Sequence, residues 1–287
     1  MKYIVRDRNS KEDIIECSSN ALNFLYNTFI GRVFLRLFIT KTFNNLLAKY
    51  MNSKYSKHRI GNFVIKNDIN LLDYSKNNYR CYIDFFTRKI KDGKRPIMMN
   101  KEFFIAPCDV RLSVYEVRDD LVLKIKHSCY DISSIVNGNI LGDYKGGYAL
   151  VFRLGTDNYH RYCYVDSGTK GDNTYINGVF HTVQPISLKR YNFYKTNSRE
   201  YTILNTNNFN KIVQVEVGAM GIGRITNLHR EHSFKKGEEK GFFEFGGSTI
   251  VLFVKKDIIK IDEDILSNSL EGIETNVKYG ERIAIKK

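Results

Sequence analysis

Near its C-terminus the chain carries a long apolar, β-prone run. Gly241-Phe242-Phe243-Glu244-Phe245 leads into Ile250-Val251-Leu252-Phe253-Val254, and Gly246-Gly247-Ser248-Thr249 interrupts them. Residues of this kind belong in strands, so whatever else the chain does it must build a sheet. Glycine weakens a strand interior and marks a bulge, a tight bend or a close backbone approach. Here the glycines immediately precede a hydroxyl. A flexible Gly-Ser peptide lets the serine Oγ swing back onto the carbonyl before it. Taken alone, the pentapeptide Phe245–Thr249 also reads as a bulge carrying an ordinary serine.

Other short strands with turn signals begin at Phe103. They are Phe104–Pro107, Arg111–Val117, Leu121–Ile125, Tyr148–Leu154, Tyr162–Val165 and Ile212–Val217, and they continue through Phe242–Lys255. Gly138, Gly142, Gly146-Gly147, Gly168 and Gly171 punctuate them. Many short strands at close spacing predict an antiparallel sandwich-like or barrel-like body. Upstream the period changes. After a polar stretch over residues 1–16, read as a short strand or arm, apolar residues recur at helical spacing from Ser18 to Met51. Leu22, Leu25, Phe29, Val33 and Leu37 form the series, Phe34 and Phe38 widen it, and Gly31 is read as a break between two helices. Asp68–Tyr74 is read as a short helix, and Gly93 and Pro96 as the end of a helix begun near Tyr82. The expected fold class is α+β: N-terminal amphipathic helices packed on a β-rich catalytic body. Residues 1–100 form the helical, membrane-associating region and 101–287 the catalytic region.

Lys and Arg number 45 against 31 Asp and Glu, a formal charge of +14, which calls for an anionic partner. The basic residues are spread along the chain, and no helix-turn-helix, finger or basic-aromatic sheet motif accompanies them, so no nucleic-acid partner is expected. An anionic membrane surface remains, and Arg32, Arg36, Lys41 and Lys49 beside the apolar stripe suit it. Packing of the same helices on the body is the plainer reading, and the two are compatible. Asn23, Asn27, Arg32 and Arg36 interrupt the Ala21–Ile39 stretch, so it is not read as a membrane span. Five cysteines without CxxC spacing offer neither a disulfide framework nor a zinc site, and the N-terminus lacks the apolar core of a secretory signal. The expectation is an intracellular chain, peripheral on the cytoplasmic face of the cell membrane.

Four stretches carry candidate chemistry: Ala106-Pro107-Cys108-Asp109, Asp157-Asn158-Tyr159-His160-Arg161, Phe180-His181-Thr182-Val183, and Lys236-Gly237-Glu238-Glu239-Lys240-Gly241 leading to Ser248. One Asp, two His and one Ser are the parts of a nucleophile, base and orienter relay. Each is also an ordinary structural residue when read singly. No His/Asp cluster with metal-ligand spacing is evident, and no metal is expected.

In this order the stretches resemble the phosphatidylserine decarboxylase family, over most of the chain. Asp84–Arg88 with Arg95-Pro96-Ile97 is similar to the family's helix and following loop, Ala106–Asp109 to its Ser-Pro-x-Asp-Gly segment, and Asp157–Arg161 to its Asp-Tyr-His-Arg motif. Val217–Met220 with Gly223-Arg224-Ile225 resembles its Val-Gly-Ala strand. Lys236–Gly241 with Phe245–Thr249 resembles its Lys-Gly-x-Glu-x-Gly-x-Phe-x-x-Gly-Ser-Thr signature, in the form of the bacterial clostridial-type branch.

The resemblance implies a proenzyme that cuts itself between Gly247 and Ser248. Ser248 Oγ would attack the Gly247 carbonyl to give an ester. Elimination would leave dehydroalanine, and hydrolysis would release ammonia and leave a pyruvoyl group at residue 248. The products would be a β chain of residues 1–247 and an α chain of 248–287, paired as a heterodimer. The covalent pyruvate is the implied cofactor, phosphatidylserine the substrate, and phosphatidylethanolamine and CO2 the products. Glycine before the scissile bond tolerates the backbone such a turn requires.

The chain departs from the family pattern at one informative place. The family reads Tyr-His-Arg-x-His, its first His tied to decarboxylation and its second to self-cleavage with Asp and Ser. Here His160 matches the first, and Cys163 stands at the second. An unperturbed thiol is mostly neutral at pH 7 and a poor base. Either self-cleavage is lost and the chain is a non-catalytic phospholipid-binding paralogue, or another imidazole fills the gap. His181 is the preferred substitute. His229 and His232, in a polar loop, are the lesser candidates. The expected catalytic set is therefore Asp109, His160, His181 and Ser248. Cys108 and Val110 around Asp109 also replace the family's small residue and glycine.

Overall fold

Side-chain alternation along Ser248–Val254 organises the layers. In the computed structural model, which describes residues 2–76, 78–125, 128–188, 190–221, 224–244 and 248–287, all seven residues of this strand are buried. A strand covered on both faces reads as a continuous apolar run, which is what the sequence shows. Ile250, Leu252 and Val254 pack with Leu150, Phe152 and Ile212 on one face. Val251 and Phe253 pack with Val151, Val213 and Val215 on the other. Each such side chain contributes on the order of 1.5–3 kcal/mol by leaving water.

The strand lies inside a sheet of eleven strands among the described residues. It pairs antiparallel with Lys211–Val217 on one side and Tyr148–Leu154 on the other. Beyond Tyr148–Leu154 come Val110–Glu116 and Glu274–Val277, both antiparallel to their neighbours. Lys2–Asp7 then adds in parallel, and Asp13–Cys17 closes that edge as a hairpin partner. On the opposite side Arg199–Thr206 follows Lys211–Val217, with Thr174–Ile176 and Gly168–Lys170 paired to it and His232–Phe234 outermost. Two three-stranded sheets cover the first face. One contains Arg161–Cys163, Glu239–Phe243 and Ile225–Asn227, and the other Phe103–Ile105, Arg282–Lys286 and Ile259–Ile261. They bring Tyr162, Cys163, Phe243, Phe104 and Ala284 into the core.

The architecture is β-rich with several helices, broadly the expected α+β class. Three details differ from the sequence expectation, the third at Asp68–Tyr74. The apolar run Phe242–Lys255 divides between sheets: Glu239–Phe243 belongs to a small sheet, and Ser248–Val254 to the large one. The Gly246-Gly247 step, outside the described residues, falls between them in sequence. The N-terminal segment forms three helices, α1 (Asn20–Asn27), α2 (Phe29–Phe38) and α3 (Lys41–Met51). The first break is at Thr28, not Gly31. Thr28 is extended, and its hydroxyl accepts from Gly31 N at 2.9 Å, capping α2. Gly31 is needed for space: a Cβ there would lie 2.0 Å from the Phe24 carbonyl oxygen.

Leu25, Tyr26 and Leu35 fix α1 and α2 to Ile186 of the body. Phe29, Ile30, Val33, Phe34 and Leu37 are each half or more exposed. Downstream, α4 (Arg59–Lys66) and α5 (Tyr82–Phe86) follow, and Asp68–Tyr74 contains only one short turn, Leu71–Asp73. Among the described residues no helix is long and apolar enough to cross a membrane.

Candidate active site

Strand register brings the candidate segments to one rim of the large sheet. Ser248 opens its strand opposite Leu154, and Thr249 lies opposite Val217. The chain leaves the sheet after Leu154 through Gly155 to His160, and after Val217 through Gly218 to Met220. It enters the neighbouring strand from Asp109, two residues before Arg111, which pairs with Arg153. Four segments distant in sequence therefore meet at that rim.

Ser248 points to the face of Ile250 and Leu252, towards the small sheet that holds Tyr162 and Phe243. It is fully buried, and its Oγ has no hydrogen-bond partner among the described residues. Leaving a buried hydroxyl unpaired costs about 1–3 kcal/mol, so such an atom asks for a reason. Its neighbour Gly247, the other half of the expected scissile bond, lies outside the described residues.

His160 sits at the end of a tightly held loop. Asn158 Oδ1 accepts from Gly155 N and from Arg111, which also binds Asp157 at 3.0 Å. The His160 carbonyl accepts from Phe243 N at 2.9 Å, tying it to the strand that runs towards Ser248. The ring packs on Phe86 with centroids 4.1 Å apart. Nδ1 lies 2.9 Å from the Asn158 carbonyl oxygen, which can only accept, so Nδ1 carries the proton. Nε2 is then the lone-pair nitrogen, and it too is buried without a partner among the described residues. Burial drives the His160 pKa down to about 3, so the ring is neutral at pH 7.

His181 is held differently. Its carbonyl accepts from Asn197 Nδ2, which also donates to the Gly218 carbonyl, and from Met220 N. The ring stacks on Tyr191 at 4.1 Å. Tyr26 OH accepts from Thr182 N and lies 3.1 Å from His181 Nδ1. Tyr26 OH already accepts from Thr182 N, and donating its own proton to Nδ1 places the proton of His181 on Nε2. Burial lowers this pKa to about 4.

Asp109 is buried and bound by Arg95 through Nε at 3.0 Å and Nη2 at 2.8 Å, and by Tyr279 N at 2.8 Å. No imidazole contacts it among the hydrogen bonds of the described residues. The Tyr279 hydroxyl donates to the Gly237 carbonyl at 3.2 Å. Burial pushes the Cys163 thiol up to about 12, so the residue at the family's second histidine position is protonated at neutral pH.

A family profile described as phosphatidylserine decarboxylase matches residues 82–285. The chain belongs to the phosphatidylserine decarboxylase family. It is 47% identical over 287 residues to phosphatidylserine decarboxylase proenzyme 2 of Clostridium acetobutylicum, covering 99% of this chain and 98% of that one. A phosphatidylserine decarboxylase proenzyme of Clostridium botulinum is 37% identical with full coverage of both chains. One of Clostridium perfringens is 39% identical over 92% of each. The family profile begins at Tyr82, so helices α1–α4 precede it, yet the Clostridium acetobutylicum and Clostridium botulinum relatives align through them.

Two further features of this decarboxylase-family site were not singled out from sequence. Lys240, inside the Lys-Gly-x-Glu-x-Gly signature, is fully buried and donates to Glu216 Oε1 at 2.7 Å and to Asn227 Oδ1 at 2.6 Å. Glu216 pairs in register with Ile250, on the Ser248 face, and also accepts from Gln214. The detectable signal was polar Gln214 and Glu216 alternating with Val213, Val215 and Val217. The second feature is a cleft of about 470 Å³ bounded by Lys41 of α3, Phe180, Arg224 and Glu244. It shares Glu200 and Arg224 with a neighbouring cleft of about 620 Å³. In the sequence Lys41 stands only as part of a basic helical face.

Proposed function

We propose that this chain is a self-processing proenzyme that cuts between Gly247 and Ser248 and then converts phosphatidylserine to phosphatidylethanolamine and CO2. The observation that carries the reading is the buried Ser248 Oγ, unpartnered among the described residues, at the head of a core strand, in a chain aligned end to end with relatives named as proenzymes. Ser248 is the nucleophile and the source of the pyruvoyl group, and Gly247 supplies the carbonyl. The pyruvoyl ketone supplies an electron sink for the pair left behind by departing CO2.

The sequence expectation gave self-cleavage to His181 and decarboxylation to His160. Hydrogen bonding favours the exchange. His160 Nε2 holds a free lone pair, and we assign it the Ser248 proton. His181 offers an N–H, and we assign it donation to oxygen or carbon at the same rim. Asp109 positions Arg95 and Tyr279, which support the signature through Gly237. Lys41 and Arg224 line the cleft beside Glu200 and Glu244, with Arg224 3.4 Å from Glu244, a mixed-charge lining for a head group that carries phosphate and ammonium, and we assign it the head group. The helices of residues 1–100 form the membrane-associating layer on the cytoplasmic face, where each Lys or Arg near an anionic surface contributes about 1 kcal/mol. The exposed α2 side chains supply the apolar contact.

Intact-mass measurement of freshly purified protein tests the reading. Fragments 1–247 and 248–287 are expected, the latter bearing a pyruvoyl end, with one uncut 33.5 kDa chain for Ser248→Ala. A persistent uncut chain that binds phosphatidylserine vesicles without releasing CO2 would instead establish the non-catalytic phospholipid-binding paralogue, which the protonated Cys163 favours.

A further inference from the structure

Three side chains unused by the decarboxylase reading converge on the outer face of the signature segment. Glu238 Oε1 lies 2.6 Å from His232 Nε2 and 4.0 Å from His229 Nε2. The ligand atoms of all three fall within 4.8 Å of one another, and all three residues are half-buried. We propose that His229, His232 and Glu238 form a binding site for a divalent transition metal of the zinc class.

The donor set and its supports carry the inference. Two imidazoles and one carboxylate are a zinc-type triad, leaving a fourth position for water. Metal–ligand bonds of about 2.0–2.2 Å in a tetrahedron separate neighbouring donor atoms by about 3.4 Å. The two observed separations from Glu238, 2.6 and 4.0 Å, bracket that value. The rings now stack at 3.8 Å and 11°, so binding splays them and replaces the His232–Glu238 hydrogen bond with metal bonds.

The outer shell of such a site is already present. His229 Nδ1 lies 3.4 Å from the Tyr164 hydroxyl, which leaves Nε2 for the metal, and Glu238 Oε2 accepts from Lys235 N at 2.9 Å. Partners of this kind fix ring orientation and carboxylate direction at metal centres. Lys170 Nζ holds the His229 carbonyl at 3.0 Å, so a cation stands behind the site, and among the described residues a single carboxylate joins the cluster. That balance disfavours Mg(II) and Ca(II), which need oxygen-rich shells, and leaves imidazole-seeking metals. The sequence reading saw no metal-spaced cluster because Glu238 joins the histidines only after the chain turns through Phe234 to Gly237. Bound metal would clasp the His229–His232 segment to the head of the strand Glu239–Phe243.

The test uses the full-length chain, stripped with chelator and titrated with Co(II) and then Zn(II). One equivalent of Co(II) should bind with the visible bands of a four- or five-coordinate site, be displaced by Zn(II), and Zn(II) should raise the Tm. His232→Ala and Glu238→Gln should each weaken Co(II) binding by at least about tenfold, the least that losing even a supporting group costs. Absence of the bands in the wild-type chain, or binding unchanged in both variants, would overturn the proposal. Neither readout depends on self-cleavage or decarboxylation, so the site stands or falls independently of the enzymatic reading.

Discussion

Removing the buried ammonium of Lys240 should be among the most damaging single changes in the body. Its side chain and that of Glu216 are both fully buried, 2.7 Å apart. Lys240→Met keeps the length and removes the charge. Among the described residues Glu216 Oε1 then keeps only the Gln214 amide, and Oε2 already lacks a partner. Breaking a buried pair from one side costs about 3–5 kcal/mol, because the remaining charge is uncompensated. With unfolding entropy of about 2.1 cal/mol/K per residue, 287 residues give roughly 0.6 kcal/mol/K. The expected fall in Tm is therefore about 5–8 °C. The measurement belongs in a Ser248→Ala background, so that one uncut species melts. Adding Glu216→Leu should restore at least half of the loss, since apolar replacement of both partners removes the stranded charge. A Tm for Lys240→Met within about 1 °C of its parent would refute the reasoning. So would a double variant that loses the sum of two independent penalties.

Other expectations follow from the same geometry. Unfolded His160 takes up a proton near pH 6.5 but the folded ring only near pH 3, so stability is lost as pH falls across that window, by about 1.4 kcal/mol per unit from this group. Melting Ser248→Ala with and without His160→Gln between pH 4 and 7 should show a shallower slope in the second. Time courses of cleavage should stall in His160→Ala and persist, slowed, in His181→Ala, and the opposite order would return the base role to His181. Cys163→Ala should still cleave, because a thiol held near pKa 12 contributes no base at neutral pH; an uncut product from a folded variant would contradict this. Phe29→Ser with Phe34→Ser should weaken sedimentation with phosphatidylserine vesicles while self-cleavage continues, and unchanged binding would place the lipid contact elsewhere.

Much of the fold was legible because local pattern and tertiary burial agree. Tyr148–Leu154 is legible to the residue because Gly146-Gly147 and Gly155 bound its apolar run, and Ile212–Val217 within one because its valines alternate with Gln214 and Glu216. The reading failed where geometry decides between similar local patterns. Phe242–Lys255 looked continuous, yet its halves pair with Arg161–Cys163 and with Tyr148–Leu154 in different sheets. Arg199–Thr206 was overlooked, although its Tyr201-Thr202-Ile203-Leu204 core is β-prone. Gly31 looked like a helix break, but a close crossing near Phe24 requires it.

Residue identity alone determined which chemistry the chain can attempt: a serine after glycines, two imidazoles, a strand-end carboxylate, and a thiol where the family has histidine. Motif order and spacing were enough to carry the family, because those are properties of the linear chain. Which imidazole holds a free lone pair was decided only in three dimensions. It depends on the Asn158 carbonyl behind one ring and the Tyr26 hydroxyl behind the other, the latter 155 positions away in the chain. The buried Lys240–Glu216 pair and the His229, His232 and Glu238 cluster are likewise products of packing. A titratable group's proton depends on its neighbours in space, and sequence specifies those neighbours only through the completed fold.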